Sequence, residues 1–369
     1  MSEKMRAVVK SKEGMGAELM EVEIPKIKDN EVLVKVKATS ICGTDVHIYT
    51  WDKWSATRIG KKKLPQIMGH EVAGEVVEVG KAVKRIKVGD YISAETHIFT
   101  FEDLTAQVGQ LNLGDHMEIL GVDRDGSFAE YIAIPENVCW KNEESIPPEI
   151  ASIQEPLGNA VYAVLGEDND VAGKTLVILG DGPIGLFATA FAKTVGVAKI
   201  FLVGLNDFAL KLGKSLGADF TLRADEDMDR VEFIREHTYG AGADIVVEMA
   251  GAPQAIHEGL KMLRKGGRFS AFGILKEGNI SLDYNDDFVF KGIQIHSISG
   301  RKIFDTWYRV RNLLATEKLN VKPIITHLYK LEDFKKGFDN MLSFPRKCGK
   351  VVLFPDEREL LEAQKRMKN

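Results

Sequence analysis

The chain has 369 residues, a formal net charge of −5, 44% hydrophobic residues and 28% charged residues. This composition is typical of a globular chain with material for two cores, and it excludes the basic surface of a nucleic-acid-binding protein. Three cysteines are too few for a disulfide framework. Because no apolar run reaches transmembrane length, we expect a cytoplasmic protein that binds neither nucleic acid nor a membrane.

The first part of the chain, residues 1–159, predicts a β-rich domain. The segments that carry this prediction alternate apolar and polar residues, as half-buried strands do; they are "EVLVKVKAT", "GHEVAGEVVEVG" and "FAEYIAIPE". Gly80 and Gly89 mark turns between them.

Residues 160–300 predict a doubly wound α/β domain. Its segments "KTLVILGDGPIGLFATAFAKTVG" and "KIFLVGLNDFALKLGKSLGA" each read as an apolar strand, a turn and a helix. Strands without alternation, interleaved with amphipathic helices, indicate a parallel sheet covered on both faces. Residues 301–369 then return to helices and strands and include the strand "GKVVLFP".

A glycine turn in the second segment predicts a dinucleotide site. Gly180, Gly182 and Gly185 have the G-x-G-x-x-G spacing directly after an apolar strand and open a helix. These glycines permit a tight turn, a close approach of the backbone to a pyrophosphate, and close helix–strand packing.

The end of the next strand leaves the choice between NAD and NADP open. An acidic residue there would bind the ribose 2′-hydroxyl of NAD, but this position holds Gly204. No arginine follows closely that would bind a 2′-phosphate, and Lys211 and Lys214 are the local cations.

Four side chains before the glycine turn predict a zinc site. Cys42, His70, Glu71 and Glu155 offer one thiolate, one imidazole and carboxylates, a set that suits catalytic Zn²⁺. Taken singly, Cys42 could be a buried apolar side chain and His70 a core histidine. Their order just before a dinucleotide fold favours the metal site.

The sequence resembles the zinc-dependent medium-chain alcohol dehydrogenase family over nearly its whole length. The resemblance is carried by "ICGTDVHIYTWDKW", "MGHEVAGEVVEVG", "VGDYISAETH", "GSFAEYIAIP", "QEPLGNAV" and "GDGPIG". Within the family, the segments "GTDVHIYTWDKW", "EPLGNAV", "FKGIQIHSISGRKIFDTWY" and "PIITH" are most similar to the L-threonine 3-dehydrogenase branch. The resemblance implies a GroES-like catalytic domain built from 1–159 and 301–369, a Rossmann domain at 160–300, and a homotetramer.

The resemblance also implies site roles. Cys42, His70 and Glu71 would hold zinc, and Glu155 would be a fourth ligand or a close neighbour of the ligands. Thr44 would stand beside the substrate oxygen, His47 would end a proton relay, and His97 would lie at the pocket rim. The positions that would contact the dinucleotide, besides the glycines, are Ile184, Phe272, Gly273, Ile274, Ser297 and Ile298.

The implied reaction is oxidation of the L-threonine 3-hydroxyl to 2-amino-3-oxobutanoate, with NAD as the favoured cofactor and NADP left open by Gly204. A polyol or sugar dehydrogenase of the same build is the nearest alternative. A non-catalytic nucleotide-binding protein is a more distant one, since it would have no reason to keep all four of Cys42, Thr44, His70 and Glu71.

One segment, residues 99–121, departs from the family. Many relatives hold a second, structural zinc there with four cysteines, whereas this chain has Thr100, Asp103, Ala106 and Gly114. We therefore expect one zinc per chain. Apolar packing would hold this segment, here named the lobe, through Phe99, Phe101, Leu104, Leu111 and Leu113.

Overall fold

A computed structural model describes residues 3–60, 63–275 and 278–368. The chain forms two compact units. The first unit comprises Met1–Pro156, Lys302–Ala315 and Ile325–Asn369, and the second comprises Leu157–Arg301 and Thr316–Ile324.

The strands, in chain order, are β1 (Lys4–Lys10), β2 (Glu18–Glu23), β3 (Glu31–Ile41), β4 (Gln66–Ile67), β5 (Glu71–Val79), β6 (Tyr91–Ala94), β7 (His97–Ile98), β8 (Glu118–Ile119), β9 (Tyr131–Pro135), β10 (Cys139–Lys141), β11 (Thr175–Leu179), β12 (Lys199–Gly204), β13 (Phe220–Arg223), β14 (Ala243–Glu248), β15 (Leu263–Ala271), β16 (Gln294–Ser297), β17 (Ile325–Lys330) and β18 (Lys350–Phe354).

The α-helices are α1 (Gly43–Thr50), α2 (Lys53–Arg58), α3 (Leu104–Gln107), α4 (Pro148–Ala151), α5 (Gln154–Leu165), α6 (Pro183–Thr194), α7 (Asp207–Ser215), α8 (Arg230–Glu236), α9 (Pro253–Met262), α10 (Asp305–Ala315), α11 (Phe334–Leu342) and α12 (Glu357–Lys368). Short 3-10 helices lie at Leu111–Leu113, Glu136–Val138, Lys322–Ile324 and Leu331–Asp333, and a π-helical turn lies at Asn285–Val289.

The first unit is organised around β3. The larger sheet has the order β10-β6-β5-β3-β18-β17, with β9 also paired to β3. Because β3 is covered by neighbours along its length, it is almost wholly buried, and Lys35 is its exposed residue. The half-buried alternation that its sequence predicts is therefore not realised. Two apolar clusters flank this strand, one around Val34, Val76 and Ile132 and one around Ile41, Phe338 and Val351.

Pairing of β18 with β3 brings the last part of the chain into the first unit. Ser40 of β3 lies opposite Glu71 of β5 on one side and Val352 of β18 on the other. The carboxyl end of β3 therefore meets the beginnings of β5 and β18, although these segments are far apart along the chain.

The second unit is a six-stranded sheet in which every described pairing is parallel, in the order β13-β12-β11-β14-β15-β16. The predicted doubly wound sheet is thus confirmed. The strand order reverses between β11 and β14, and in such sheets the crevice beyond the carboxyl ends at this reversal is where ligands bind.

Candidate metal centre and nucleotide-binding edge

Three potential metal ligands meet where β3 ends and β5 begins. One ligand atom each of Cys42, His70 and Glu71 lies within 4.8 Å of the other two. His70 and Glu71 are buried, and Cys42 is partly exposed. We call this group the candidate metal centre.

Asp45 lies beside the cysteine and the histidine of this centre, and neither its Oδ1 nor His70 Nδ1 has a hydrogen-bond partner among the described residues. Asp45 Oδ2 accepts the Cys42 amide at 2.8 Å at the start of α1, and its Oδ1 lies 3.6 Å from His70 Nδ1. Burial alone would lower the pKa of His70, but the nearby Asp45 and Cys42 raise it well above its usual range. A metal ion binds the neutral imidazole, so metal binding and protonation of His70 would compete.

Glu71 presents one oxygen to the protein and one to the centre. Its Oε2 accepts the Ser40 hydroxyl and the Lys350 ammonium, and Lys350 Nζ also donates to the Ile41 carbonyl at 3.0 Å. Burial raises the pKa of Glu71, and Lys350 opposes that rise. Oε1 is buried and has no hydrogen-bond partner among the described residues.

A buried carboxylate oxygen without a partner is costly unless a cation meets it. A divalent ion among Cys42, His70 and Glu71 would meet this oxygen with a thiolate, an imidazole and a carboxylate, which is a zinc donor set. The residues therefore fit the metal that the sequence predicts.

Glu155 lies in the first turn of α5 and is buried. It accepts the Thr96 hydroxyl at 2.9 Å, and its charge raises the pKa of both Glu71 and Lys350. It is not one of the three residues whose ligand atoms lie within 4.8 Å of one another. Direct ligation by Glu155 remains a prediction.

The predicted relay residues lie on α1. Thr44 Oγ1 is 4.0 Å from Cys42 Sγ, and the exposed His47 ring contacts Asp52 Oδ2 at 2.6 Å through Nδ1. Burial would raise the pKa of Asp52, but the Ser55 amide and the His47 ring lower it below its ordinary value. His47 is therefore held at the surface next to a carboxylate.

His97, predicted at the pocket rim, opens β7. Its amide donates to Glu95 Oε1 at 2.9 Å, and its side chain is 15% exposed. Glu95 also accepts Trp307 Nε1 at 2.8 Å. His97 thus belongs to a largely buried polar group, and its place at a substrate pocket stays a prediction.

In the second unit, the glycine turn follows β11. Gly180 has φ +123°, a conformation that L side chains rarely adopt, and a Cβ on Gly185 would overlap the Gly180 carbonyl oxygen. Gly182 is the N-cap of α6 and Pro183 is its first residue. The amides of Ile184 and Gly185 then lie in the first turn, where a helix has no acceptors of its own for them. This geometry fits a pyrophosphate.

The remaining predicted contacts lie at the same carboxyl edge of the sheet. Phe272–Ile274 follow β15, and Ser297 ends β16. Ile274 and Ser297 are exposed, whereas Ile298 is buried and its amide donates to the Ala271 carbonyl. These residues and the glycine turn form what we call the nucleotide-binding edge.

This edge also contains two charged residues that sequence reasoning missed. The Asp181 carboxylate lies at the end of β12, where its Oδ2 accepts the amides of Leu205 and Asn206 at 3.0 and 2.7 Å. Arg223 of β13 lies opposite Gly204. The expectation that Lys211 and Lys214 are the local cations is therefore wrong, because strand pairing brings in an arginine from outside that segment.

Two further contributors in the first unit were also missed. Asp45 could have been found, since an acidic residue three positions after a helix N-cap is a capping signal. Lys350 could not, because only the pairing of β18 with β3 places it beside Glu71.

The lobe is fastened in part as expected. Phe99 is buried, Leu111 packs against the same apolar cluster, and the Phe101 ring contacts the Phe99 ring at a centroid distance of 5.6 Å. Leu104 and Leu113 are exposed, so their predicted packing is wrong. In addition, Asp103 accepts the His116 amide and ring Nδ1, at 3.2 and 2.6 Å. A Cβ on Gly114 would overlap Asp103, so the glycine makes room for this carboxylate.

Among the helices of the described residues, none is long and apolar enough to cross a membrane. The three cysteines form no disulfide.

Comparison with known proteins identifies both units. Residues 28–147 match the family described as an alcohol dehydrogenase GroES-like domain, and residues 183–316 match the zinc-binding dehydrogenase family. The chain is 48% identical over 355 residues to an L-threonine 3-dehydrogenase of Bacillus velezensis, covering 96% of this chain and 100% of that relative.

Two solved structures share the fold. The 2R,3R-butanediol dehydrogenase of Bacillus subtilis has a TM-score of 0.86 and 27% identity, over 95% of this chain and 100% of that one. A protein of Sinorhizobium meliloti 1021, described as a zinc-binding dehydrogenase and bound to NADP, has a TM-score of 0.85 and 26% identity, over 96% and 100% of the two chains. The predicted GroES-like and Rossmann folds are confirmed.

Proposed function

The chain belongs to the zinc-dependent medium-chain alcohol dehydrogenases, and we propose that it oxidises the 3-hydroxyl of L-threonine to 2-amino-3-oxobutanoate, with transfer of a hydride to a nicotinamide dinucleotide. The convergence of Cys42, His70 and Glu71, with a buried and unpartnered Glu71 oxygen among the described residues, carries the assignment of a zinc enzyme. The choice of threonine is supported by 48% identity to an L-threonine 3-dehydrogenase over that relative's full length.

In the proposed mechanism, Cys42, His70 and Glu71 would hold the zinc. When bound, the ion supplies a Lewis acid that lowers the pKa of the substrate hydroxyl, and the nicotinamide supplies the hydride acceptor. Lys350 and Ser40 fix one Glu71 oxygen and leave the other for the ion. Asp45 Oδ1, 3.6 Å from His70 Nδ1, supplies a negative charge beside the histidine, on the side where carboxylates commonly neighbour metal-bound histidines.

The proton of the substrate hydroxyl leaves along α1. Thr44, beside Cys42, takes the position of the first acceptor, and His47, three residues later on the same helix, delivers the proton to solvent. Asp52 holds the His47 ring through Nδ1, so the proton is exchanged at Nε2. Glu155 is a candidate partner for the substrate ammonium because it is a buried carboxylate close enough to influence Glu71.

A diol or polyol is the second candidate substrate, because the butanediol dehydrogenase of Bacillus subtilis has the same fold at 27% identity. Steady-state assays with L-threonine, sorbitol and 2R,3R-butanediol, each with NAD and with NADP, separate the two. Threonine should give the highest kcat/KM. Strong diol or polyol turnover without threonine turnover would overturn the substrate assignment, and no turnover of any alcohol by zinc-loaded protein would favour a binding protein.

Three finer properties are also proposed. One zinc per chain is supported by the oxygen-containing and small residues at positions 100, 103, 106 and 114 of the lobe. A homotetramer is supported by the family resemblance, and a cytoplasmic location by the three unpaired thiols. Metal analysis giving two tightly bound zinc ions per chain, or light scattering giving another mass, would contradict the first two.

A further inference from the structure

We propose that Asp181, inside the glycine turn, replaces the acidic residue that is absent at Gly204 and selects a dinucleotide without a 2′-phosphate. In dinucleotide-binding folds, a carboxylate at the end of the second strand binds the adenosine ribose. Here that strand is β12, and it ends in Gly204. The Asp181 carboxylate lies at this strand end, since its Oδ2 accepts both the Leu205 and the Asn206 amides.

The space at Gly204 shows that the two positions depend on each other. A Cβ on Gly204 would overlap the Cβ, Cγ and Oδ2 atoms of Asp181. The φ of Gly204 lies outside the left-handed region, so its backbone would tolerate a side chain. It is therefore the Asp181 side chain that keeps position 204 a glycine. The carboxylate at this place is therefore supplied by the preceding glycine turn and not by the end of the strand.

One oxygen of this carboxylate is available to a ligand. The two amide bonds use Oδ2, and the described residues provide no hydrogen bond to Oδ1. Asp181 is partly exposed. Oδ1 can therefore accept a ribose hydroxyl, whereas a phosphate on that hydroxyl would meet a negative charge.

The nearby cation does not offset this charge. Arg223 is opposite Gly204, but its guanidinium donates to Asp207 and, at 2.9 and 2.8 Å, to both oxygens of Asp225. Glu226 Oε1 lies 4.0 Å from Arg223 Nε. With two carboxylates already bound, Arg223 is a poor partner for a 2′-phosphate.

The inference deepens the proposed function, because it names which form of the nicotinamide dinucleotide the second unit accepts. It is tested by equilibrium binding, with isothermal titration of NADH and NADPH into the zinc-loaded full chain in the absence of substrate. We expect NADH to bind at least about tenfold more tightly than NADPH, as the loss of a hydrogen bond to a charged group predicts.

Asp181→Asn keeps the shape and an acceptor for the two amides but removes the charge. This substitution should lower the ratio of the NADPH Kd to the NADH Kd by about tenfold or more, mainly because NADPH binds more tightly. Asp181→Ala with Gly204→Asp returns a carboxylate to the strand end in the vacated space, and it should restore the preference for NADH. Asp170→Asn is the matched control, because it removes one carboxylate of the same unit that pairs with Lys174, and it should leave the ratio unchanged.

Binding of NADPH as tight as that of NADH, or tighter, by the protein without substitutions would overturn the inference. The same holds if Asp181→Asn leaves the ratio of the NADPH Kd to the NADH Kd unchanged. A failure of the proposed function looks different. Absent threonine turnover with the Asp181-dependent ratio intact would overturn the substrate and sustain the inference. If Asp181→Ala alone loses NADH binding and Asp181→Ala with Gly204→Asp recovers it, the inference is also sustained. A carboxylate at position 204 would not rescue a merely structural role of Asp181.

Discussion

In the first unit, the candidate metal centre is held by buried charged side chains, whereas in the second unit the nucleotide-binding edge is held mainly by main-chain groups. Glu71, Lys350 and Asp45 are each almost completely buried. The glycine turn, by contrast, excludes side chains, because a Cβ on Gly185 would overlap a carbonyl oxygen. The first unit is therefore sensitive to the loss of a charge, and the second to the addition of atoms.

The difference also decides how each site is distributed along the chain. Main-chain turns require residues that are close in sequence, so the glycine motif is compact. Buried charges require partners of opposite sign, which can come from any strand that the sheet brings near. Asp181 is an exception within the second unit, since it places a carboxylate at the strand end through a turn rather than through the strand itself.

Replacing Cys42 by Ser in the candidate metal centre should have the largest effect of the substitutions proposed. A serine hydroxyl is a poor zinc ligand near neutral pH, so zinc should be lost and kcat/KM should fall by roughly 10⁴-fold. Binding of NADH, measured by titration, should change little because the nucleotide-binding edge lies in the other unit.

Cys139→Ser is the matched control for that substitution. Cys139 is buried, and its thiol donates to the Pro135 carbonyl, an interaction that a hydroxyl can keep. This variant should retain zinc and turnover. Equal loss of zinc in both variants, or full zinc content in Cys42→Ser, would contradict the proposed centre.

Removing the partner of Glu71 tests the burial of charge directly. Lys350→Met should lower the free energy of unfolding of the zinc-free protein by about 3–5 kcal/mol, because it leaves a buried carboxylate without a cation. Adding zinc should recover part of this loss, since the ion supplies another positive charge. The measurement is the free energy of unfolding of the full chain from chemical denaturation, with and without zinc.

Lys336→Met is the control for this charge effect, because Lys336 forms an exposed ion pair with Asp333 at 2.8 Å. The loss of this ion pair should lower the stability far less than the loss of Lys350, because water screens it. The double variant Lys350→Met with Glu71→Gln should be more stable than Lys350→Met alone, as no unpaired charge remains. Similar stabilities for Lys350→Met and Lys336→Met would show that the Glu71 carboxylate is not effectively buried.

The contrast between the two sites explains what could be predicted from the sequence. The parallel sheet and the glycine turn follow from local patterns, and the Cys42, His70 and Glu71 group follows from residue types and their order. Lys350 and Arg223 were missed because only strand pairing brings them to Glu71 and Gly204. The exposed Leu104 and Leu113 show what the sequence could not predict. A short lobe that is held in part by the Asp103 carboxylate does not bury every apolar residue it contains.

Adding a methyl group to the glycine turn tests the nucleotide-binding edge. Gly185→Ala would place a Cβ against the Gly180 carbonyl oxygen, which cannot move without distorting the turn. We expect NADH to bind about 10–100-fold more weakly, the equivalent of about 1–3 kcal/mol of overpacking. Zinc content should be unchanged, as the centre lies in the first unit.

Gly173→Ala provides the matched control for the added methyl group. Gly173 has φ +76° and open space around its Cβ position, so the substitution strains the backbone without a clash. It should lower stability by about 1 kcal/mol and leave the NADH Kd unchanged. If Gly185→Ala behaves in the same way, the turn is not close-packed and the contrast between the units is weaker than proposed.

The smallest effect concerns a charge pair in the lobe of the first unit, between the exposed His116 ring and the buried Asp103 carboxylate. The hydrogen bond that the His116 ring donates to Asp103 raises the pKa of His116, and the same bond lowers the pKa of Asp103. The pair therefore stabilises the lobe between these two pKa values. Its contribution is lost when the pH rises through the folded-state pKa of His116 and when the pH falls through that of Asp103.

An NMR titration of the His116 ring measures this coupling. The pKa should lie above about 6.5 in the unchanged protein and return toward that ordinary value in Asp103→Asn. Asp115→Asn is the control, because Asp115 raises the pKa of His116 only through its more distant charge and should shift it less. Since the His116 ring is exposed and water screens its charge, the stability change should be far smaller than for Lys350→Met. An unchanged His116 pKa in Asp103→Asn would mean that charge pairing organises the buried centre of this unit but not its surface lobe.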